Sequence, residues 1–259
     1  MFLLSAVALL SLAFPSPATI AWHKSFSLNG RPEIQVASNN VDVRVYASDR
    51  KDIEAVLYAN RTISSDTVTD RKSENLVILD VRLPSQWRAG FDSGVLELRV
   101  PLGCDIDVQS RNGSIMVKDA EGKLTLHTES GNIAALAIRG ALDIESGHGD
   151  LQIDGTVTAV ILHTRTGNVA AQIDPGSRMN SNWVLRTGDG NVDLRLPEDF
   201  STELDVNSGD GNVRLDFPMA VVGGGGRSAV RGPVNGGGRH LEVHSDKGDI
   251  RVRKIAGSI

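Results

Sequence analysis

Seven polar residues recur at one position of a repeated glycine motif, and three successive ones have side chains that bind metals. Each stands four residues before a glycine, and together they form the polar column: Gln109, His127, Glu145, His163, Arg186, Asn207 and His244. If the copies stack as parallel strands, His127, Glu145 and His163 follow one another at about 4.8 Å on one outward face. Imidazole and carboxylate are ordinary ligands of divalent transition metals, so these three residues are a candidate metal site.

Two other interpretations of the polar column stay open. A solvated sheet face, on which His and Glu form cross-strand pairs worth about 0.2 to 1 kcal/mol, needs no ligand at all. Histidines beside a glutamate also allow partner binding to change between neutral and mildly acidic pH. The residue types alone do not separate these alternatives.

Familiar catalytic motifs are absent from the sequence. It contains no Gly-x-Ser-x-Gly, His-Glu-x-x-His or Cys-x-x-Cys, and its glycine run lacks the lysine of a phosphate-binding loop. The single cysteine, Cys104, permits no internal disulfide and is typical of a small core residue. Asp189 and Asp210 stand in turns that resemble calcium-binding repeats, but their 21-residue separation does not fit nonapeptide spacing. The sequence therefore predicts neither an enzyme nor a cofactor.

Composition narrows the class of protein and its partners. The 259 residues carry 27 Lys and Arg against 32 Asp and Glu, a net charge of −5, with no basic block. Nucleic acid is therefore not an expected partner. Aromatic residues make up only 4% while glycine reaches 27 residues, which favours short aliphatic strands joined by tight turns.

An internal repeat organises most of the chain. Its glycines stand at intervals of 18, 18, 18, 23, 21 and 37 residues, at Gly113, Gly131, Gly149, Gly167, Gly190, Gly211 and Gly248. The positions seven and five before each glycine, and two and four after it, are apolar in all seven copies. Apolar residues two apart are typical of a strand with one buried face, so each copy is predicted to be strand, turn, strand.

The turn of each copy is equally regular. A Ser or Thr stands three residues before every glycine, and Asn or Asp follows it in every copy except at Ser114. Glycine accepts unusual backbone angles, and the polar side chains bond to nearby backbone groups, so the set predicts a chain corner.

Two architectures fit such units: an antiparallel meander with a hairpin at each glycine, or a solenoid in which equivalent strands pair in parallel. The like residues of each column favour the solenoid, because they would then stack in equivalent places. The apolar intervals of 2, 7, 2 and 7 do not fit a left-handed hexapeptide helix. We therefore predict an all-β, single-chain β-solenoid of about 18 residues per turn over residues 95–259.

The remaining segments lie at the start of the chain and within the last repeat interval. Residues 1–21 resemble a signal peptide cleaved after Ala18 or Ala21, because the apolar run is too short to span a bilayer. Residues 22–94 contain alternating strands without the glycine repeat and are predicted to form an irregular β cap. The glycine-rich excursion at residues 221–238 is predicted to be a flexible surface loop.

The recurring Ser-Gly-Asn-Ile and Thr-Gly-Asn-Val turns, Val100-Pro101 and the final Leu241–Ile250 repeat resemble the bacterial putative-adhesin family of repeated β-strand proteins, formerly a domain of unknown function. The resemblance covers roughly residues 30–255. It implies an extracytoplasmic location and a surface-contact role, and it supplies no catalytic residues.

Two functions follow from these observations. We expect a non-enzymatic binding or scaffold protein at the bacterial cell envelope, whose partner is a protein, a surface glycan or another copy at the C-terminal edge. The alternative is a carbohydrate-active β-helix enzyme that acts on an acidic polysaccharide, which requires acid and base groups converging in a groove.

Overall fold

The computed structural model describes residues 19–84, 93–218 and 228–255, and α-helices are absent from these ranges. The all-β prediction is confirmed. The proposed leader up to residue 18 and residues 221–227 of the excursion lie outside the described residues. The described part contains no helix with the length and hydrophobicity needed to cross a membrane.

Seven strands precede the glycine repeat. They are β1 (Thr19–Ser27), β2 (Glu33–Asn39), β3 (Asp42–Ser48), β4 (Asp52–Ala59), β5 (Val68–Lys72), β6 (Leu76–Arg82) and β7 (Gly94–Pro101). Because β1 begins at Thr19, cleavage after Ala18 would leave this strand whole, whereas cleavage after Ala21 would remove its first three residues.

Thirteen strands follow in the repeat region. They are β8 (Asp105–Asn112), β9 (Ile115–Lys118), β10 (Glu121–Ser130), β11 (Ile133–His148), β12 (Leu151–Thr166), β13 (Val169–Ile173), β14 (Trp183–Asp189), β15 (Val192–Pro197), β16 (Thr202–Ser208), β17 (Val213–Leu215), β18 (Ala229–Val234), β19 (His240–Lys247) and β20 (Ile250–Ile255). The long strands β11 and β12 each join the end of one copy to the start of the next.

Each corner joins two strands, and we call such a pair of strands a rung. Each strand of a rung pairs in parallel with the equivalent strand of the neighbouring rung. The first ladder, formed by the strands before the corners, runs β6, β2, β8, β10, second half of β11, second half of β12, β14, β19, β16. The second ladder, formed by the strands after them, runs β7, β3, β9, first half of β11, first half of β12, β13, β15, β20, β17. Parallel pairing of equivalent strands is the register that a solenoid requires, and no hairpin forms at Gly131, Gly149 or Gly167.

The inward-facing side chains of the two ladders form the hydrophobic core. Leu126, Ile144 and Leu162 are Cα partners in successive strands, and each has 0% exposure. The apolar residues of both ladders belong to one hydrophobic cluster. Aliphatic side chains at equivalent places therefore fill the interior, as the period of two predicts.

The N-terminal part differs from the irregular cap expected from the sequence. Ile34 and Val36 pair in register with Ile106 and Val108 of the first copy, so β2 and β3 form a regular rung. β6 and β7 add another rung outside it. Only β1, β4 and β5 depart from the parallel pattern, since β5 pairs antiparallel with β6, β4 with β7, and β1 with β4.

The C-terminal end departs from chain order. The last copy, β19 and β20, lies between the β14–β15 rung and the β16–β17 rung, so the strands nearest the chain end are internal. The 37-residue interval makes this order possible. It is long enough for the chain to add β18 beside β16 and then return to place β19 between β14 and β16. Part of the excursion predicted as a loop is instead strand β18, which pairs antiparallel with β16.

The corner glycines are required by close stacking. A Cβ added to Gly149 would lie 2.0 Å from the carbonyl oxygen of Gly131 on the preceding rung, and Gly167 would meet Gly149 at 2.1 Å. In six rungs the inward hydroxyl donates to the corner-glycine carbonyl of the neighbouring turn of the stack, as Thr164 Oγ1 does to Gly149 O at 3.0 Å. Six such bonds, from Thr128, Ser146, Thr164, Thr187, Ser245 and Ser208, run along the stack. The carbonyls freed at the corner are thus satisfied.

Candidate ligand-binding surface

The polar column lies on the outer surface of the first ladder. Its residues alternate with buried ones such as Val108, Leu126 and Ile144, so the pleat directs them outward. Along the stack their order is Gln109, His127, Glu145, His163, Arg186, His244 and Asn207. The last two are reversed relative to the sequence, because β19 stands before β16. Asp80 and Ala37 continue the same line towards the N-terminal end.

Glu145 lies between two imidazoles, as the register predicts. His127 Nδ1 is 3.3 Å from Glu145 Oε2, and His163 Nδ1 is 3.8 Å from Glu145 Oε1. The three side chains are 45%, 52% and 53% exposed, so water competes for every contact. Within the described residues no group of three or more His, Cys, Asp or Glu side chains is arranged to hold a metal ion. Metal binding by His127, Glu145 and His163 stays a prediction.

Further polar side-chain pairs continue along the column. Arg186 donates to Glu242 Oε1 through Nη2 at 2.6 Å and Nε at 2.9 Å. His244 Nε2 lies 2.8 Å from Asp246 Oδ1. These contacts orient side chains that still reach solvent, so the column presents donors and acceptors in fixed rows.

A depression of about 530 Å³ opens beside Ala37, at the N-terminal end of the polar column. Ala37 is an exposed residue between Asp80 and Gln109, and its short side chain leaves room above the sheet. We call this feature the Ala37 depression. Its polar walls come from Asp80, Arg82, Gln109, Arg111, His127 and Glu129.

Sequence reasoning missed most of the Ala37 depression, because Ala37, Asp80 and Arg82 belong to the segment predicted as an irregular cap. A usable signal was present. Ile34, Val36 and Ser38 match the apolar and hydroxyl columns of the repeat, and Val43 and Val45 match the columns after the corner. Val41 replaces the glycine, which hid the copy.

The hydroxyl ladder is incomplete beneath the Ala37 depression. Ser38 and Ser110 line it, and the buried Oγ atoms of both have no hydrogen-bond partner among the described residues. Ser110 itself is 5% exposed. In the copies that follow, the equivalent hydroxyl donates to a glycine carbonyl. Two unsatisfied polar atoms therefore lie on the inward side of the sheet beneath this depression.

A calcium ion shared by Asp189 and Asp210, which their 21-residue separation does not favour, also does not fit the order of the rungs. Lys247 lies on the rung between them, and its Nζ is 3.1 Å from Asp189 Oδ1. This bond raises the pKa of Lys247. A permanently charged ammonium between the two carboxylates occupies the place that a shared cation would need.

Cys104 is a core residue, as expected. It has 0% exposure, and its burial raises the pKa of the thiol to about 12. A thiol that stays protonated at neutral pH is a poor nucleophile.

Four carboxyl groups of the described residues have a clearly shifted pKa. Where the pKa of a carboxyl clearly departs from its usual value, it is lowered. Hydrogen bonds from Arg50 lower the pKa of Asp52 and Glu54, and the backbone N–H of Asn212 lowers that of Asp249. A carboxyl that donates a proton at neutral pH needs a raised pKa instead.

The two parallel ladders and their repeated corners define a β-strand repeat protein. The chain belongs to the Toastrack DUF4097 family, whose model matches residues 32–253. The family resemblance seen in the repeated turns is thereby confirmed. No curated protein matches.

Several solved structures are similar to this chain. A "putative adhesin" from Bacteroides fragilis is 14% identical with a TM-score of 0.49, over 90% of this chain and 96% of that one. A "putative cell adhesion protein" from Clostridium sporogenes is 11% identical with a TM-score of 0.45, over 90% and 98%. A "putative lipid binding protein" from Parabacteroides distasonis is 9% identical with a TM-score of 0.30, over 91% and 96%.

Proposed function

We propose that this chain is a non-enzymatic, extracytoplasmic binding or scaffold protein at the cell envelope, and that the polar column is its contact surface. The observation that carries the proposal is the unbroken row of outward polar residues on adjacent parallel strands. Rows with a fixed spacing of about 4.8 Å suit a partner that is itself extended.

The rigidity of the stack supports this role. The side chains of the polar column rise from strands that are bonded on both sides, and the corner beside them is locked by glycine packing and hydroxyl bonds. A surface held in this way loses little conformational entropy when it binds.

A role without turnover agrees with the side-chain chemistry. The resolved carboxyl pKa shifts are all downward, and Cys104 is buried and protonated. The alternative of polysaccharide cleavage needs a raised carboxyl pKa opposite a base, whereas the carboxyl groups with a clear pKa shift have a lowered one.

The extracytoplasmic location rests on the sequence. Residues 1–14 contain only Ser5 and Ser11 as polar side chains, and Ala18 and Ala21 offer cleavage sites. Fractionation of cells that express the tagged full chain, with a control lacking residues 2–18, tests this location. Equal cytoplasmic retention of both proteins would contradict it.

Self-association at the C-terminal end of the stack is a second element of the proposal. The terminal rung there is β16 and β17, and β18 covers β16, while β17 pairs with β20 alone among the described strands. An uncovered strand edge favours pairing with another copy. Light scattering at increasing concentration should show growing mass, and a strict monomer would remove this element.

Retention on a bacterial envelope fraction tests the binding role. The chain from Thr19 onward should bind an envelope fraction of the organism that encodes it, and the triple variant His127→Ala, Glu145→Ala, His163→Ala should bind at least tenfold more weakly. Gln152→Ala with Gln172→Ala, on the outer surface of the second ladder, is the matched control and should bind normally. Loss of binding in the control, or product release from polysaccharide by the wild type, would contradict the proposal.

A further inference from the structure

We propose that the Ala37 depression binds a glycan by forming hydrogen bonds with the neutral hydroxyl groups of the sugar. This inference rests on the proposed function and names the chemical class of its ligand. The volume of about 530 Å³ lies within the range of roughly 300 to 1,000 Å³ in which small-molecule sites occur. The chemistry of the walls decides which class of ligand fits.

The charges around the depression balance. Arg82 Nη2 lies 2.6 Å from Asp80 Oδ2, and Arg111 Nε lies 3.8 Å from Glu129 Oε2. A polyanion would meet two guanidinium groups and two carboxylates, so the walls carry no net charge from these groups that would favour it. A neutral polar ligand needs no such charge.

The wall groups match hydroxyls in their hydrogen-bonding roles. Carboxylates accept, guanidinium groups donate in parallel pairs, and the Gln109 amide does both. A sugar hydroxyl can donate and accept at once, so it can pair with each of these groups. Neighbouring hydroxyls on a ring suit the paired atoms of Asp80 and Arg82, which already lie side by side.

An apolar ligand would gain little here. Ala37 provides the one aliphatic side chain of the lining, and the lining contains no Phe, Tyr or Trp. Burial of apolar surface contributes about 25 cal/mol per Å², so a peptide with large apolar side chains or an acyl chain would lack its main source of affinity. The lining therefore favours a glycan over a peptide or lipid partner.

Selective destruction of envelope components tests the ligand class. Envelope fractions are left intact, oxidised with periodate, which cleaves vicinal diols, or digested with protease, and retention of the chain from Thr19 onward is measured on each. We expect periodate to abolish retention and protease to leave it unchanged. Retention should be independent of salt from low to moderate ionic strength, because the proposed bonds are not ion pairs.

A filled-depression variant locates the site. Ala37→Trp places a ring in the depression and should weaken retention at least tenfold, while Ala170→Trp, an exposed alanine on the second ladder, should bind as the wild type does. If Ala37→Trp fails to fold, Gln109→Ala with Arg111→Ala serves instead, with the same expected loss.

The outcomes separate this inference from the proposed function. Retention that survives periodate, or that protease removes, overturns the glycan assignment and leaves envelope binding intact. Wild-type retention by Ala37→Trp overturns the location. No retention on the untreated envelope overturns both.

Discussion

The glycine corner and the polar column occupy the same rungs, yet they differ in the residue types that each position accepts. Gly149 and Glu145 are four residues apart, but Gly149 has backbone where its side chain would be, whereas Glu145 is 52% exposed. Every copy with the repeat has glycine at the corner. At the column the same copies carry amide, imidazole, carboxylate and guanidinium groups.

This difference indicates that the corner and the column of each repeat have separate roles, in stability and in binding. The corner fixes the distance and register between rungs, because glycine carbonyls and inward hydroxyls bond across the rungs. The polar column does not set the spacing between rungs, so its side chains can vary to match a binding partner. Substitutions should therefore act on stability at inward and corner positions, and on binding at the column.

The largest effect is expected at an inward neighbour of the column. Ile144→Asp places a charge in a fully buried position next to Leu126 and Leu162 and should unfold the repeat region, with a loss of about 4 kcal/mol or more. Thermal unfolding followed by circular dichroism measures this loss. Glu145→Ala is the control, and a modest shift of the midpoint in Ile144→Asp would contradict the core assignment.

A single methyl group at the corner should produce the next largest effect. Gly149→Ala should destabilise the chain by about 2 kcal/mol or more, because its Cβ would lie 2.0 Å from Gly131 O. The direction is informative, since replacing glycine by alanine ordinarily stabilises a protein where the native backbone can accept a side chain. Chemical denaturation compared with Glu145→Ala, expected within about 0.5 kcal/mol of the wild type, checks it. An equal or increased stability of Gly149→Ala would break the comparison.

A smaller effect is expected from one bond of the hydroxyl ladder. Thr164→Val keeps the shape of the side chain but leaves Gly149 O without its donor, which should cost about 1 to 2 kcal/mol. Thr166→Val, at an exposed position two residues later, is the matched control and should change little. Equal denaturation midpoints for the two variants would show that the ladder does not stabilise the corner.

The smallest effect on stability is expected within the polar column itself, where the metal hypothesis is tested. That hypothesis predicts saturable heat when zinc is titrated into the wild type and none with Glu145→Ala. The solvated-face alternative predicts no saturable heat in either protein. Binding that is equal in both would exclude Glu145 as a ligand.

The sequence allowed the prediction of the columns but not of their order in space. The inward positions, the corner hydroxyls and the outward polar column follow from period and residue type, because parallel stacking demands like residues at like places. The position of β19 between β14 and β16 does not follow, since all seven copies have interchangeable apolar columns and either neighbour would bury them. The β2–β3 rung was missed because Val41 occupies the glycine position.

The order of the polar column is the most direct point at which to test this account, because it fixes which side chains a partner meets. Arg186 and His244 are Cα partners, as are His244 and Asn207, so Arg186 and Asn207 are two strands apart. Adjacent strands lie about 4.8 Å apart, within disulfide reach, whereas two steps of about 9.6 Å exceed it.

Two cysteine pairs distinguish the two possible orders. In a Cys104→Ala background, mild oxidation should crosslink Arg186→Cys with His244→Cys and leave Arg186→Cys with Asn207→Cys largely reduced, as measured by peptide mapping. A stack built in chain order would place Arg186 next to Asn207. Efficient crosslinking of that second pair, with none in the first, would contradict the account.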